Sequence, residues 1–429
     1  MTAERPGQYD VVVCGAGVAG LAAARGLGDL GLRVLLVDKQ DRPRAVAKGE
    51  VLQPGALRVL RRWGTERLLE ERGAVRLSRL AVRTADGASL MTLDYGRLPN
   101  GDRSLLAQDH LTVLESLAAG LADGVEVLRG VLVEGALRDA SGRVCGVRLS
   151  QGGRVREEYC PLVVAADGIG SKLRRAAGVR VRRAEYPHRL VSFDIEGVRD
   201  APADFSAYLT DRGLRLVYPL PGGRVRLYAQ AAPQEVQGRP AGAWAPWCEE
   251  MLTGVPALGG LREPLLACAH RRQAFPVTRL LSPAVALPGL AFVGESAYAV
   301  HPMAAQGMNT AVVSAASLAD RLAQAWDGSG RPSAAVVDAA LEAYRRERAD
   351  VLARTARTSD NAARMVTDLS WRGRIVGRRA LRHTGANPRL RYAVTRAMSG
   401  LGGPPLTPLD RLQQIGLLPD PRSHRVPAL

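Results

Sequence analysis

The stretch Asp10–Asp38, DVVVCGAGVAGLAAARGLGDLGLRVLLVD, decides the fold of this chain. A short apolar run, Val11–Val13, leads into three glycines spaced as G-x-G-x-x-G, and an Ala/Leu-rich helical pattern follows. A second apolar run, Leu32–Val37, ends on the acidic residue Asp38. Strand, glycine turn, helix, strand and acid come in the order of a dinucleotide-binding βαβ unit.

Each part of this unit has a physical role in binding a dinucleotide. Gly15 allows the tight turn, Gly17 lets the backbone approach a pyrophosphate, and Gly20 lets helix and strand pack closely. The helix start offers unpaired N–H groups and the positive end of its dipole to the phosphates. Asp38 is placed to accept hydrogen bonds from a ribose diol and disfavours a 2′-phosphate, so FAD and NAD both remain candidates at this point.

The composition is that of an ordinary globular protein. The chain has 429 residues, of which 46% are hydrophobic and 24% are charged. We expect a cytoplasmic protein, because its N-terminus is polar and no apolar run is long enough to span a bilayer. Five scattered cysteines without C-x-x-C spacing argue against a zinc site or a disulfide framework, so no metal is expected.

The formal charge of +17 is carried almost entirely by arginine. This bias is typical of a GC-rich genome, and no nucleic-acid partner is expected. One segment, Trp371–Arg396, contains eight arginines and no acid, interleaved with apolar residues. It predicts peripheral contact with an anionic membrane, and the alternative is a solvated helical tail that packs on the core.

Two later motifs also follow apolar strand patterns. Ala165–Arg175, AADGIGSKLRR, has the form D-G-x-x-S-x-x-R. Gly294–Leu322 carries Pro302 and then Gln306–Asn309 at the start of a long helical pattern. The backbone amides at such a helix start suit an electron-rich ring edge or an oxyanion.

Together these three motifs resemble the single-component FAD-dependent monooxygenases. These are the para-hydroxybenzoate-hydroxylase-like enzymes, related to the ubiquinone-biosynthesis hydroxylases and squalene epoxidases, and the resemblance covers about residues 8–365. It implies FAD as the cofactor, NAD(P)H as a transient electron donor without a Rossmann domain of its own, and O₂ as co-substrate. It further implies hydroxylation or epoxidation of a small molecule through a flavin C4a-hydroperoxide, in specialised metabolism, with no catalytic side chain assigned.

The resemblance also implies where the cofactor is held. The FAD adenosine and pyrophosphate are expected at Gly15, Gly17, Ala19, Gly20, Asp38 and Lys39. The diphosphate, and transiently the nicotinamide donor, are expected at Asp167, Gly168 and Arg174. The ribityl chain is expected at Gly294 and Glu295, and the isoalloxazine at Pro302, Gly307, Met308 and Asn309. Arg44 and Gln108 are expected to place their side chains against the cofactor.

Four positions depart from the family's pattern. Glu295 stands where the family usually has Asp, and Ala305 replaces a usual Gly near the flavin. Ser314 replaces a usual acid in the following helix, and Gln108 stands where many relatives have Arg. We expect these differences to shift the fine positioning of the flavin and to leave the fold unchanged.

The implied fold class is α/β: a Rossmann-like FAD-binding domain, an inserted antiparallel-sheet substrate domain and a helical C-terminal tail. The FAD-binding domain is expected at 1–75, 100–180 and 282–330, the substrate domain at 76–99 and 181–281, and the helical region at 331–429. The local patterns predict a helix over 105–121, short strands over 126–149, a hairpin around Pro221–Gly223, and a long helix from about Gly307.

Other readings of the same residues stay open. Asp167 also fits a helix cap, and His301 a buried histidine of the core. Tyr218 and Arg226 are candidates for a pocket, although alternation does not tell which face of the hairpin points inward.

Other functions stay open as well. They are a flavin-dependent alkene reductase of the geranylgeranyl-reductase type and a basic binding protein with a vestigial nucleotide fold. A flavin halogenase is disfavoured, since Ala243–Cys248 does not match its W-x-W-x-I-P segment. Low aromatic content and the squalene-epoxidase-like Gly49–Pro54 favour a bulky apolar substrate.

Overall fold

The computed structural model describes residues 8–47 and 49–426. The strands are β1 Val11–Cys14, β2 Val34–Asp38, β3 Val51–Leu52, β4 Val75–Leu77, β5 Arg79–Thr84, β6 Ser89–Asp94, β7 Leu105–Ala107, β8 Val125–Arg129, β9 Leu132–Arg138, β10 Val144–Gln151, β11 Arg154–Tyr159, β12 Leu162–Ala165, β13 Arg182–Ile195, β14 Phe205–Thr210, β15 Gly213–Leu220, β16 Arg224–Ala231, β17 Arg272–Leu281, β18 Ala286–Leu287, β19 Leu290–Phe292 and β20 Tyr298–Ala299. The α-helices are α1 Val18–Gly28, α2 Pro54–Arg62, α3 Thr65–Glu71, α4 His110–Ala118, α5 Lys172–Ala176, α6 Pro233–Val236, α7 Trp244–Thr253, α8 Arg262–Cys268, α9 Gln306–Ala325, α10 Ala334–Thr367, α11 Trp371–Ala386, α12 Pro388–Met398 and α13 Pro408–Gln414.

A six-stranded sheet with the order β18-β19-β12-β1-β2-β8 forms the nucleotide-binding half of the molecule. All of its pairings are parallel except that of β18 with β19. Its central strands are buried along their whole length, as expected for a parallel sheet covered on both faces. The predicted βαβ unit is confirmed as β1, α1 and β2.

The first and third glycines of the motif permit close approaches of the backbone. Gly15 has φ +109°, and a Cβ there would overlap the carbonyl group of Ala166 at the end of β12. A Cβ on Gly20 would overlap the carbonyl oxygen of Gly15. Both positions therefore exclude any side chain, which explains the two glycines by packing inside the protein.

An eight-stranded sheet, order β20-β17-β13-β16-β15-β14-β5-β6, forms the second half. It is antiparallel except for the parallel pair β14 and β5. Strands from residues 76–99 and from 181–281 thus join one sheet. The predicted hairpin around Pro221–Gly223 is confirmed as β15 and β16.

The helix predicted over 105–121 is wrong in its first part. Leu105–Ala107 is the strand β7, which pairs with β3 and β4, and the helix α4 begins only at His110. Three consecutive, fully buried residues suit the centre of a small sheet, whereas the helical spacing starts after Asp109. The strands predicted over 126–149 are confirmed as β8, β9 and β10.

The region after residue 334 is helical, as predicted, and α10 spans 34 residues. The arginine-rich segment forms α11 and α12, whose Leu381, Leu390 and Tyr392 are buried against the core. The start of α11 is not buried in this way, since Trp371 is 64% exposed and Ile375 is 58% exposed. Across residues 8–47 and 49–426, no helix combines the length and the apolar character needed to cross a membrane.

Candidate active site

A cavity of about 320 Å³ lies where the carboxyl ends of β1, β12 and β19 face the eight-stranded sheet. This edge of an open parallel sheet is the usual ligand-binding position in α/β folds. Eight of the residues predicted to hold the cofactor line it: Gly17, Ala19, Gly168, Gly294, Glu295, Pro302, Gly307 and Met308. The opposite wall comes from the eight-stranded sheet and includes Leu190, Phe205, Leu216, Tyr218 and Tyr228.

The glycines of this cavity leave space that a cofactor would occupy. At Gly17, Gly168 and Gly307 a Cβ would meet no other atom within 4 Å, although each residue lines the cavity. A side chain there would therefore fill the cavity itself. The residues present thus fit a dinucleotide that lies close to the backbone at three separate turns.

The two carboxylate oxygens of Asp167 have different surroundings. Its Oδ2 accepts hydrogen bonds from the N–H groups of Lys172 (2.7 Å) and Leu173 (3.2 Å) and so caps the first turn of α5. Its Oδ1 is buried and has no hydrogen-bond partner among the described residues. A buried carboxylate oxygen without a donor is costly, and hydroxyl or amide donors of a bound cofactor would satisfy it. The helix-cap reading of Asp167 is confirmed, and the unpaired oxygen fits the cofactor reading as well.

The start of α9 presents free backbone donors to the cavity. No side chain caps this 20-residue helix, and Gly307 and Met308 in its first turn line the cavity. The preceding residue, Ala305, has φ +49°, a left-handed conformation that non-glycine residues rarely adopt. Ala305 is therefore strained at the position where the family usually has Gly.

Asp38 holds the glycine turn in the described structure. Its Oδ2 accepts from the N–H of Ala16 (2.6 Å) and its Oδ1 from the N–H of Gln40 (2.7 Å). The carboxylate therefore lies beside the motif, as predicted, and each oxygen keeps a lone pair for a further donor. Lys39 and Arg44 are exposed on the loop that follows.

The other nine residues predicted to hold the cofactor do not line the cavity, and Gln108, Arg174 and Asn309 are among them. Gln108 is buried, and its amide donates to the carbonyls of Leu69 and Arg72 at the end of α3. Arg174 donates to the carbonyls of Ser296 (2.6 Å) and Ile169 (2.8 Å).

The third residue, Asn309, accepts a hydrogen bond from the N–H of Ala56 (2.7 Å) through Oδ1. In all three cases the side chain already hydrogen-bonds to protein backbone. These residues hold the walls of the site in place.

The cavity wall also contains an ion pair that the sequence did not predict. Arg226 on β16 donates through Nε to Glu50 Oε2 (2.9 Å) and through Nη2 to Oε1 (2.7 Å). Tyr218 donates its hydroxyl to Glu50 (2.8 Å), and Tyr228 donates to the carbonyl of Ala47 (2.7 Å). Of this cluster, Glu50, Tyr218 and Tyr228 line the cavity.

The charges of this cluster stabilise each other. Burial lowers the pKa of Arg226, but the Glu50 carboxylate more than offsets this effect and raises it. Burial and the same carboxylate raise the pKa of Tyr218 well above its usual range. The arginine is therefore charged and the tyrosine is neutral over the physiological pH range.

Behind the Pro302–Ala304 turn lies a pair of buried histidines. His301 Nδ1 accepts from the N–H of Met303 (3.2 Å), so the neutral ring carries its proton on Nε2 and donates it to His188 Nε2 (3.0 Å). Burial lowers the pKa of His188 to about 4 and that of His301 to about 3. Neither ring lines the cavity, so the core reading of His301 is the one the geometry supports.

Residues 8–359 match the FAD binding domain family. The ubiquinone hydroxylase UbiL of Rhodospirillum rubrum is 28% identical over 79% of this chain and 77% of its own length. The 6-methylpretetramide 4-monooxygenase of Streptomyces rimosus is 28% identical over 83% of this chain and 62% of its own.

Among solved structures, P. aeruginosa PqsL in complex with 2-aminobenzoylacetate superposes with a TM-score of 0.72. It is 26% identical and covers 84% of this chain and 97% of its own. The chain belongs to the FAD-binding monooxygenase family, and its cofactor is FAD. It is a flavin-dependent oxidoreductase, as the resemblance implied.

Proposed function

We propose that the protein uses NAD(P)H and O₂ to hydroxylate or epoxidise a bulky apolar or aromatic small molecule in specialised metabolism. The observation that carries this proposal is the single cavity in which the glycines of the cofactor cradle face a wall of apolar side chains. A substrate bound against that wall would lie next to the flavin. Proximity of this kind is the protein's main contribution to flavin chemistry.

The composition of the wall supports an apolar substrate. Leu190, Phe205 and Leu216 come from β13, β14 and β15 of the eight-stranded sheet and point to the same side of it. Phe205 stacks on Tyr218, with ring centroids 5.1 Å apart. Predominantly apolar walls with a few polar groups are typical of small-molecule sites.

The charge of the wall supports a neutral substrate. A cation favours a carboxylate substrate, and the arginine beside Glu50, Tyr218 and Tyr228 in this wall is Arg226. Its Nε and Nη2 both donate to the Glu50 carboxylate, so the charge of the arginine is already neutralised within the protein. What remains for a substrate are acceptor lone pairs of Glu50 and of the two tyrosine hydroxyls, which suit a phenolic or enolic O–H.

When bound, FAD would supply the redox chemistry, taking a hydride from NAD(P)H and activating O₂ so that one oxygen atom reaches the substrate. The residues expected to hold it are Gly17, Gly168 and Glu295, with the backbone amides of Gly307 and Met308. The apolar wall excludes water from the reacting region, which protects such chemistry from wasteful side reactions.

The test is a paired measurement of NADH or NADPH oxidation and O₂ uptake by the FAD-loaded protein with phenolic, polyketide and prenylated candidates. We expect a true substrate to stimulate both in equal molar amounts and to yield a product heavier by one oxygen atom. Nicotinamide oxidation without O₂ uptake, together with a saturated alkene product, would identify an alkene reductase and overturn the proposal.

A matched pair of variants controls this experiment. Gly17→Val places a side chain in the cofactor cradle and should remove both FAD and activity. Gly259→Val makes the same change at an exposed glycine where a Cβ also meets no atom within 4 Å. It should retain both the flavin and the turnover.

A further inference from the structure

A second cavity, of about 410 Å³, lies on the other side of the turn that follows His301. Pro302 and Ala305 line the first cavity, whereas Met303 and Gln306 line the second. Neighbouring residues of one turn thus alternate between the two spaces. The second cavity is large enough for a small organic ligand.

The body of this cavity is apolar. One wall consists of Leu80 and Val82 on β5 with Met91 and Leu93 on β6, and helices α10, α11 and α12 form the other. The segment 400–406 closes one side. A ligand that fills this space must therefore present a flexible or bulky hydrocarbon surface.

Its polar rim is positively charged. Arg354 and Arg357 lie three residues apart on α10 and are exposed, and Arg411 on α13 is half-buried. The part of the lining that the structure describes contains these three arginines and no acidic residue. Within residues 8–47 and 49–426, neither Arg354 nor Arg357 forms an ion pair, so their charges are available to an anion.

A buried hydroxyl in the same cavity also lacks a partner. Ser359 on α10 is 1% exposed and lines the cavity, and its Oγ makes no hydrogen bond to the described residues. An unsatisfied buried hydroxyl is costly.

We propose that this second cavity is a binding site for a free amphiphile with an apolar chain and a carboxylate head. The chain lies between β5, β6 and the C-terminal helices, and the carboxylate contacts the arginine rim. The proposal stands independently of the reaction at the first cavity. Because Met303 and Gln306 adjoin the start of α9, the ligand would contact the turn that shapes the flavin site from behind.

The test is calorimetric titration of the FAD-loaded, full-length protein with dodecanoate below its micelle concentration. We expect one binding site per chain, at least tenfold weaker binding of hexanoate, and at least tenfold weaker binding of dodecyltrimethylammonium. The hexanoate arm tests the need for the apolar chain, and the cationic arm tests the need for a negative head. Equal affinity for dodecanoate and its cationic counterpart would overturn the proposal.

Variants locate the site. The double variant Arg354→Glu/Arg357→Glu should weaken dodecanoate binding at least tenfold, and Ala362→Trp should fill the cavity and abolish it. Arg346→Glu, one substitution of the same kind at an exposed position of α10 away from the cavity, should leave binding unchanged. Unchanged binding in both cavity variants would show that the amphiphile binds elsewhere. Since no turnover is measured, a failed monooxygenase assay does not affect this result.

Discussion

Arg226 and Glu50, which are 176 residues apart in the chain, form a bidentate ion pair whose side chains are 7% and 2% exposed. The pair joins the β15–β16 hairpin to the loop before β3 and so ties together two distant segments of the cavity wall. Its neutrality supports the uncharged substrate proposed above.

The first prediction concerns this pair. Arg226→Met leaves the Glu50 carboxylate buried without its counter-ion, and we expect it to lower the free energy of unfolding by about 3–5 kcal/mol. The double variant Arg226→Met/Glu50→Leu should recover much of that loss, because no uncompensated charge remains. Urea denaturation measures both.

The exposed pair Arg271 and Glu196 provides the matched control for this measurement. Arg271→Met should cost less than about 1 kcal/mol, as surface ion pairs do. A double variant of the buried pair no more stable than Arg226→Met alone would contradict the electrostatic explanation.

The second prediction concerns the strained residue before α9. Ala305→Gly should raise the free energy of unfolding by about 1 kcal/mol, because glycine adopts φ +49° without a steric penalty. Ala304→Gly, one residue earlier at a buried position with an ordinary conformation, should instead lower it. Thermal unfolding of the two variants side by side checks the opposite signs, and a destabilised Ala305→Gly protein would refute the strain.

The third prediction concerns the histidine pair. In the folded protein the pKa values of His188 and His301 are lowered to about 4 and 3, mainly by burial. Because an unfolded histidine titrates near 6.5, the unfolded chain binds more protons below that pH. Stability should therefore be complete above about pH 6.5 and fall as the pH drops toward 4, by about 2 kcal/mol per histidine at pH 5.

The groups around the pair do not change this expectation. Tyr186 packs edge-on against His301, and its hydroxyl donates to Asp360, which also pairs with Arg279 and Arg364. His188→Asn should reduce the decrease in the free energy of unfolding between pH 6.5 and 5, as measured by urea titrations. The same change at the exposed His270 should not. A wild-type profile in the His188 variant would show that other groups cause the acid sensitivity.

The fourth prediction separates the two roles of Asp167. Asp167→Ala removes both the cap of α5 and the unpaired oxygen, so it should lower FAD retention and slow flavin reduction in stopped-flow measurements. Ser171→Ala removes only the other cap of this helix, the bond to the N–H of Arg174, and should cost about 1 kcal/mol of stability. If the flavin of an FAD-loaded Asp167→Ala protein is reduced at the wild-type rate, Asp167 acts only as a helix cap.

The parts of the fold that the sequence predicted well depend on short-range patterns. The βαβ unit, the hairpin and the start of α9 each follow from residues that are neighbours in the chain, as at Gly15 and Gly20. The same holds for Ala305, whose departure from the family's glycine marked the position that the structure finds strained.

The parts that were missed depend on long-range packing. Glu50 entered the sequence analysis only as part of the Gly49–Pro54 segment. Arg226 was named as a pocket candidate without a prediction of which face of the hairpin it lies on. Their contact depends on how a loop meets a distant sheet, which alternation along β16 does not reveal. The side chains of Gln108 and Asn309 were expected at the cofactor, but buried backbone groups compete for the same polar atoms and take them.

The last prediction concerns the arginine-rich segment Trp371–Arg396. Several of its arginines pair with acidic residues from other parts of the chain. Arg374 and Arg378 both pair with Asp211, and Arg389 pairs with Asp410 and Asp420. The positive charge of the segment is therefore smaller than its sequence suggests. An exposed apolar patch, Leu369, Trp371, Ile375 and Val376, remains beside Arg372 at the start of α11.

We expect this patch to bind vesicles that contain anionic lipid at low salt and to release them at high salt, because each basic residue near such a surface contributes about 1 kcal/mol that salt screens. Co-sedimentation measures the bound fraction. Trp371→Glu/Ile375→Glu should abolish binding, whereas Val155→Glu, at an exposed valine on β11, should not. If the wild-type protein stays in the supernatant with anionic vesicles at low ionic strength, the segment serves only to pack α11 and α12 onto the core.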